Sequence, residues 1–107
     1  MFELKQKGGS DSYHFVLKAG NGQVILSSQV YKSKSGALNG IESVKKNCTD
    51  ENCWERKTAK NGKVYFNLKS TNGQIIGSSQ MYSGESGMEN GIASIKKNAV
   101  NADVKEV

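Results

Sequence analysis

Phe15-Val-Leu-Lys-Ala-Gly-Asn-Gly-Gln-Val-Ile-Leu-Ser-Ser-Gln-Val-Tyr31 returns as Phe66-Asn-Leu-Lys-Ser-Thr-Asn-Gly-Gln-Ile-Ile-Gly-Ser-Ser-Gln-Met-Tyr82. The match runs on without a gap from Ser35-Gly-Ala-Leu-Asn-Gly-Ile-Glu-Ser-Val-Lys-Lys-Asn47 to Ser86-Gly-Met-Glu-Asn-Gly-Ile-Ala-Ser-Ile-Lys-Lys-Asn98. The offset is 51 throughout (66 − 15), and 20 of the 33 positions aligned between 15–47 and 66–98 are identical. Chance does not produce that, so the chain is a tandem duplication, read as one domain (1–107) made of repeats 1–52 and 53–107. Two copies are too few for a solenoid. A pseudo-two-fold pair, each copy covering the apolar face that the other leaves open, solves the burial problem as an isologous homodimer would.

Within each copy, Asn21-Gly22 and Asn72-Gly73 separate β-rich runs, the strongest short-range hairpin signal available, since both turn residues need positive φ. The predicted strand pairs are 13–19 with 23–28, and 64–70 with 74–79. Asn61-Gly62 marks a third turn, after Cys53–Lys57, and the looser Gly8-Gly9-Ser10-Asp11 follows Phe2–Lys5 in the first copy. A helix comes next. Ala37, Ile41, Val44 and Cys48 recur at helical spacing, as do Met88, Ile92, Ile95 and Ala99. Ser35 and Ser86 are the predicted N-caps, and Lys45-Lys46 and Lys96-Lys97 complement the dipole in the last turn. Gly40 and Gly91, each costing about 1 kcal/mol against Ala in a helix interior, predict a close approach of helix to sheet. With Asp103–Val107 as a last strand, the class is α+β: tandem βββα units in an antiparallel pseudo-two-fold sheet.

Composition narrows the rest. The 107 residues carry 15 Lys+Arg against 10 Asp+Glu for a net charge of +5, with 12 Gly, no Pro, two Cys and one His. No apolar run approaches a membrane span, and the charged start Met1-Phe2-Glu3-Leu4-Lys5-Gln6-Lys7 does not read as a secretory signal. A cytoplasmic location is the expectation. The chain is too short for most α/β enzyme architectures.

The strings Asn-Gly-Gln-Val-Ile, Ser-Ser-Gln-x-Tyr and Ser-Gly-x-x-Asn-Gly-Ile-x-Ser-Val/Ile-Lys-Lys-Asn resemble the YegP-like family of small bacterial and archaeal proteins of unknown function. The resemblance covers both copies, about residues 1–100. It implies a single sheet with helices on one face, two-repeat chains folding as a pseudo-dimer, and the strand after each helix crossing to the other half. Cys53–Lys57 and Asp103–Val107 would be those strands. The family carries no established activity, cofactor or catalytic residue to transfer.

The residues themselves point the same way. His14 is the single histidine and its counterpart is Tyr65, so it reads as an exposed or half-buried strand residue, and catalytic triads lack parts. No phosphate-cradling glycine motif is present, and no cofactor, metal or catalytic residue is expected. Cys48 and Cys53 lack two further soft ligands for zinc and read as reduced, packed thiols, with a disulfide or redox switch as the alternative. Fourteen of the 15 basic residues are Lys, spread over both copies, which fits solubility or weak phosphate attraction rather than base reading. With two-residue Asn-Gly loops, Phe15, Leu17, Val24 and Leu26 share a face that meets the helices, as do Phe66, Leu68 and Ile75. The open face then holds His14, Val16, Lys18 and Ile25, and Tyr65, Asn67, Lys69 and Ile76. Lys18, Ile25, Tyr65, Lys69 and Ile76 are the candidate binding residues, unless the apolar ones serve cross-strand packing alone. Ser27-Ser28-Gln29-x-Tyr31 and its copy could line two equivalent polar sites, although satisfying backbone groups at the strand-to-helix junction is the favoured reading, and Asn39 and Asn90 are assigned the same structural task. The functional expectation is a monomeric, non-enzymatic binding or regulatory module for protein partners, with weak Lys-mediated nucleic-acid binding as the alternative.

Overall fold

Three Asn-Gly pairs shape the sheet. In the computed structural model, which describes residues 1–6 and 11–107, Gly22, Gly62 and Gly73 take φ of 84°, 84° and 85°, and no described non-glycine residue has positive φ. The preceding asparagines stay in ordinary conformations, and their Oδ1 atoms accept from the amides of Gln23 (3.0 Å), Lys63 (3.0 Å) and Gln74 (3.1 Å). Gly22 donates to the Ala19 carbonyl, and Ala19 in turn to Gln23. These are three-residue loops ending in a left-handed glycine bulge, not the two-residue turns expected. The predicted turn at Gly8-Gly9-Ser10 lies outside the described residues.

The order is β1 (Phe2–Gln6), β2 (Tyr13–Lys18), β3 (Val24–Ser28), α1 (Lys34–Asn47), a 3-10 turn (Glu51–Cys53), β4 (Trp54–Thr58), β5 (Val64–Lys69), β6 (Ile75–Ser78), α2 (Glu85–Asn98) and β7 (Val104–Glu106). One seven-stranded sheet runs β4-β5-β6-β3-β2-β1-β7. The pseudo-two-fold passes between β3 and β6, where Ser27 pairs with Ser78 and Ser28 with Gly77. At this axis equivalent residues meet each other. A Cβ on Gly77 would lie 2.8 Å from the Ser27 carbonyl oxygen and 3.1 Å from Leu26 Cγ. Leu26 and Gly77 are counterparts in the repeat, so the axis has room for one side chain and the two copies divide it unequally.

The loop geometry also decides which residues face inward. Lys18 opposes Val24 while Leu17 opposes Leu26, and Lys69 opposes Ile75 while Leu68 opposes Gly77. Ile25 and Ile76 are thereby left in bulges. Val24 and Ile75 are 36% and 37% exposed, whereas Ile25 and Ile76 are 5% and 4% exposed and belong to the core. The expectation was the reverse. One extra residue per loop and a bulge beyond it shift the alternation, and a one-residue shift turns a side chain to the other face.

Both helix stripes are buried as predicted. Ser33, not Ser35, caps α1, its hydroxyl accepting from the Gly36 amide at 3.0 Å. Its counterpart Gly84 caps α2 without a side-chain bond, and Ser86 lies inside that helix. The position is set by the backbone, since Ser33 is still extended (φ −148°, ψ 157°) where the helix begins. Gly40 and Gly91 do mark close approach. A Cβ at Gly40 would fall 2.7 Å from Tyr31 Cζ and 2.9 Å from Phe15 Cε2, and one at Gly91 3.0 Å from Tyr82 Cζ and 3.3 Å from Phe66 Cε2.

The strands after both helices cross to the opposite half. β4 follows α1 and pairs with β5, in the place β1 takes beside β2. β7 follows α2 and returns to the first half, where β1 already holds that place. It adds outside β1 and runs parallel to it, with Phe2 N donating to Asp103 O (2.8 Å) and Val107 N to Leu4 O (2.9 Å). The sheet is therefore mixed rather than wholly antiparallel.

Candidate functional site

The open sheet face, seen through the register, holds Glu3, Lys5, His14, Val16, Lys18, Tyr65, Asn67, Lys69, Glu55 and Lys57. Two of the candidate residues there are already paired. Lys18 Nζ lies 3.1 Å from Glu3, and Lys69 Nζ lies 2.7 Å from Glu55. These bonds hold the Glu3 and Glu55 carboxyls below the usual carboxylate range, first through Lys18 and Lys69 respectively. Asn67 donates to Glu55 (2.9 Å) and accepts from the Ser78 hydroxyl (2.6 Å), closing a polar row where Val16 packs in the first half. Tyr65 is half-buried on this face, as is His14. Ile25 and Ile76 are absent from it, because the bulges turn them to the helix side. The structure thus does not bring the five candidates together.

The two thiols are packed in the core. Cys48 and Cys53 are free and buried, and burial pushes both thiols up, with Asp50 adding to the shift at Cys53. Their sulfurs lie toward separate acceptors, Lys45 O (3.6 Å) and Asn47 Oδ1 (3.9 Å). Among the described residues no group of His, Cys, Asp or Glu could hold a metal ion, and no helix is long and apolar enough to cross a membrane.

A different site emerges on the helix side. The tip of the β5–β6 hairpin leans on α1, and the tip of the β2–β3 hairpin on α2, so each helix faces the hairpin of the other repeat. Between them run two clefts. The first, of about 650 Å³, is lined by Gln29 and Tyr31, by Asn39, Gly40 and Ser43 of α1, and by Gln74 and Ile76 across the gap. The second, of about 200 Å³ with a neighbouring recess of about 490 Å³, is lined by Gln80, Tyr82, Asn90, Gly91, Ser94, Gln23 and Ile25. Adding 51 to Gln29, Tyr31, Asn39, Gly40 and Ser43 gives the second set, and subtracting 51 from Gln74 and Ile76 gives Gln23 and Ile25. The residue types are identical at every one of these places.

Most of the retained positions have a structural task. The Ser28 hydroxyl accepts from Phe15 N (2.8 Å) and donates to Gln29 O (2.7 Å), and Ser79 does the same for Phe66 N and Gln80 O. Tyr31 and Tyr82 stack on Phe15 and Phe66 with ring planes 12° and 15° apart, and burial pushes both phenols up. Asn47 and Asn98 donate to Ser43 and Ser94. The side chains of Gln29, Asn39 and Gln74, and of Gln23 and Asn90, make no hydrogen bond within the described protein, while Gln80 reaches the Tyr82 hydroxyl. Asn39 and Asn90 are therefore not the structural residues expected. The sequence did place Gln29, Tyr31 and their copies on two equivalent polar sites as the less favoured alternative. It could not place Gln74 or Gln23 with them, because those come from the other repeat.

The sequence profile described as "Domain of unknown function (DUF1508)" matches twice, at residues 9–54 and 59–106. The chain is 53% identical over 105 residues to the UPF0339 protein YegP of Escherichia coli K12, covering 98% of this chain and 94% of that protein. It is 54% identical over 107 residues to a UPF0339 protein of Acinetobacter baylyi, covering 99% and 95%. Two solution structures match in three dimensions: a UPF0339 protein of Shewanella oneidensis (TM-score 0.91, 51% identity, 98% of this chain and 88% of that one) and YegP of Escherichia coli, a protein of unknown function (TM-score 0.90, 53% identity, 98% and 90%). The chain belongs to the DUF1508 family, with two repeats, and its relatives are proteins of unknown function.

Proposed function

We propose that this member of the DUF1508 family is a non-enzymatic binding module that engages protein partners through its two equivalent helix–hairpin clefts. One observation carries the reading. Amide side chains that bond nothing else among the described residues, Asn39 with Gln74 and Asn90 with Gln23, are retained in both copies, and in each cleft they converge from a helix and from the hairpin of the other repeat. Asn39 and Asn90 sharpen it. Asn in an exposed helix interior is about 0.5 kcal/mol worse than Ala, so a position that bonds nothing inside the protein and keeps Asn twice is serving something outside it. Local choices that work against stability concentrate at functional positions.

The site offers no nucleophile with a base, no carboxylate dyad and no charged group poised over either cleft's floor, which is why binding rather than catalysis is proposed. Two buried cysteines that are not joined to each other fit a reducing compartment such as the cytoplasm, and a pseudo-two-fold completed within one chain fits a monomer. Open-face binding to nucleic acid is the competing reading, and Lys18 and Lys69 enter it already neutralised by Glu3 and Glu55.

The test is retention of bacterial lysate components on immobilised protein. The wild type and a Lys5→Gln/Lys57→Gln open-face variant should retain the same protein, and Asn39→Leu/Asn90→Leu should lose it at a urea midpoint no lower than that of the wild type. Retention by the cleft variant would overturn the reading, as would loss on nuclease treatment or in the open-face variant.

A further inference from the structure

The chemistry of the clefts restricts what they accept. Among the described residues no ionised side chain lines the first cleft, and in the second only Lys97 borders the outer recess. A charged ligand there would be desolvated without a counter-charge. What the lining presents is neutral and two-handed. The primary amides of Gln29, Asn39 and Gln74 each offer two donors and an acceptor, and the Tyr31 hydroxyl, kept neutral by burial, offers one of each. The floor is apolar, formed by Ile76 and by Gly40, against which the Tyr31 ring packs.

A flat ring ligand would need a face to stack on. The one aromatic ring in the first cleft, Tyr31, has a face committed to Phe15 at 6.1 Å between centroids, and Tyr82 is likewise committed to Phe66 at 6.2 Å. Nucleobases are commonly held by such stacking, and here only the tyrosine face turned away from Phe15 or Phe66 could supply it. An extended polypeptide fits instead. Its main chain alternates N–H donors and C=O acceptors, carries no charge, and pairs with a primary amide through both at once.

We propose that each cleft binds the main chain of an extended, uncharged peptide segment, with Gln29, Asn39 and Gln74 pairing with its amides in one cleft and Gln80, Asn90 and Gln23 in the other. This rests on the binding-module reading above and specifies its ligand. Two such sites, related by the pseudo-two-fold and each built from both repeats, accept two segments per chain, which explains why the duplication preserves both sets.

The experiment is a titration of the ¹⁵N-labelled full chain, following side-chain NH₂ resonances, with acetyl-tetraalanine-amide. Methyl glucoside and adenosine at equal millimolar concentrations serve as comparison ligands. The peptide is expected to shift the NH₂ signals of Gln29, Asn39 and Gln74 and of their copies. In the Asn39→Leu/Gln74→Met variant the first cleft should bind about tenfold more weakly, the loss that one or two neutral hydrogen bonds imply, while Gln80, Asn90 and Gln23 still respond. No response to the peptide, a larger response to the glucoside or adenosine, or an unchanged variant would overturn the assignment. Cleft-dependent retention of a lysate protein together with silence toward tetraalanine would overturn the main-chain assignment alone and leave the binding-module reading standing.

Discussion

β1 and β4 hold the same place in the two halves, yet they are made of different material. Leu4 opposes Phe15 and Arg56 opposes Phe66. Leu4 is 1% exposed, because β7 lies along the outer edge of β1. β4 has no strand on its outer side and is the edge of the sheet. There Arg56 pairs with Glu89 (2.6 Å) and Glu51 (2.7 Å), and Lys96 joins Glu51 at 2.9 Å. The counterpart of Glu89 in the first half is Leu38. The positions of Leu4 and Leu38, the latter 38% exposed, are taken by Arg56 and Glu89 where the neighbouring strand is missing. Charge on an exposed edge also discourages pairing with another chain. The lesson is that burial at equivalent positions follows what lies beside them, not the repeat they belong to.

The comparison breaks most visibly through the core. Leu4→Ala should cost about 3 kcal/mol by leaving a cavity, and Arg56→Ala less than about 1 kcal/mol, as surface ion pairs do. Urea denaturation of both variants checks this, and equal losses would mean that β7 does not seal β1. At the pseudo-axis, Gly77→Ala should cost about 2 kcal/mol through overpacking against Ser27 and Leu26. A stability equal to wild type would show that the axis has room for both copies' side chains.

Acid sensitivity sharpens the contrast between the outer strands. Glu51 is held below the ordinary carboxylate range by Lys96 and then Arg56, and Glu89 by Arg56. Groups depressed on folding stabilise the fold above their unfolded pKa, about 4.3 for Glu, and that contribution fades as pH falls through their lower folded values. Arg56→Leu with Glu89→Leu, which puts the first half's residue types at both positions, should flatten the fall of the urea midpoint between about pH 5 and about pH 3. An unchanged slope would place the sensitivity on Glu3 and Glu55, paired with Lys18 and Lys69 in both halves.

The smallest effect concerns where the halves agree without a structural cause. Asn39→Ala should stabilise the protein by about 0.5 kcal/mol. Destabilisation would reveal a structural role for Asn39 and remove the main support for the clefts as sites.

Much of this was legible residue by residue. The repeat register, the hairpins, the buried stripes from Ala37 to Cys48 and from Met88 to Ala99, and the approach at Gly40 and Gly91 follow from spacing. The faces of Val24, Ile25, Ile75 and Ile76 did not, because Asn-Gly accommodates either a two-residue or a three-residue loop and the two differ by one step of alternation. The candidate surface moved with them. Lys18 and Lys69 remained on the open face but proved to be partnered, which no local pattern announces when the partner lies on another strand.

By itself the sequence determined the duplication, the α+β class and the order of elements, since each is written in local period, spacing or composition. Tertiary structure alone decided three matters: that the axis admits Leu26 but not a second side chain, that β7 must run outside β1, and that Gln29 and Asn39 meet Gln74. The reason is common to all three. Each depends on two segments far apart in the chain competing for, or sharing, the same space, and excluded volume between distant segments leaves no local signature.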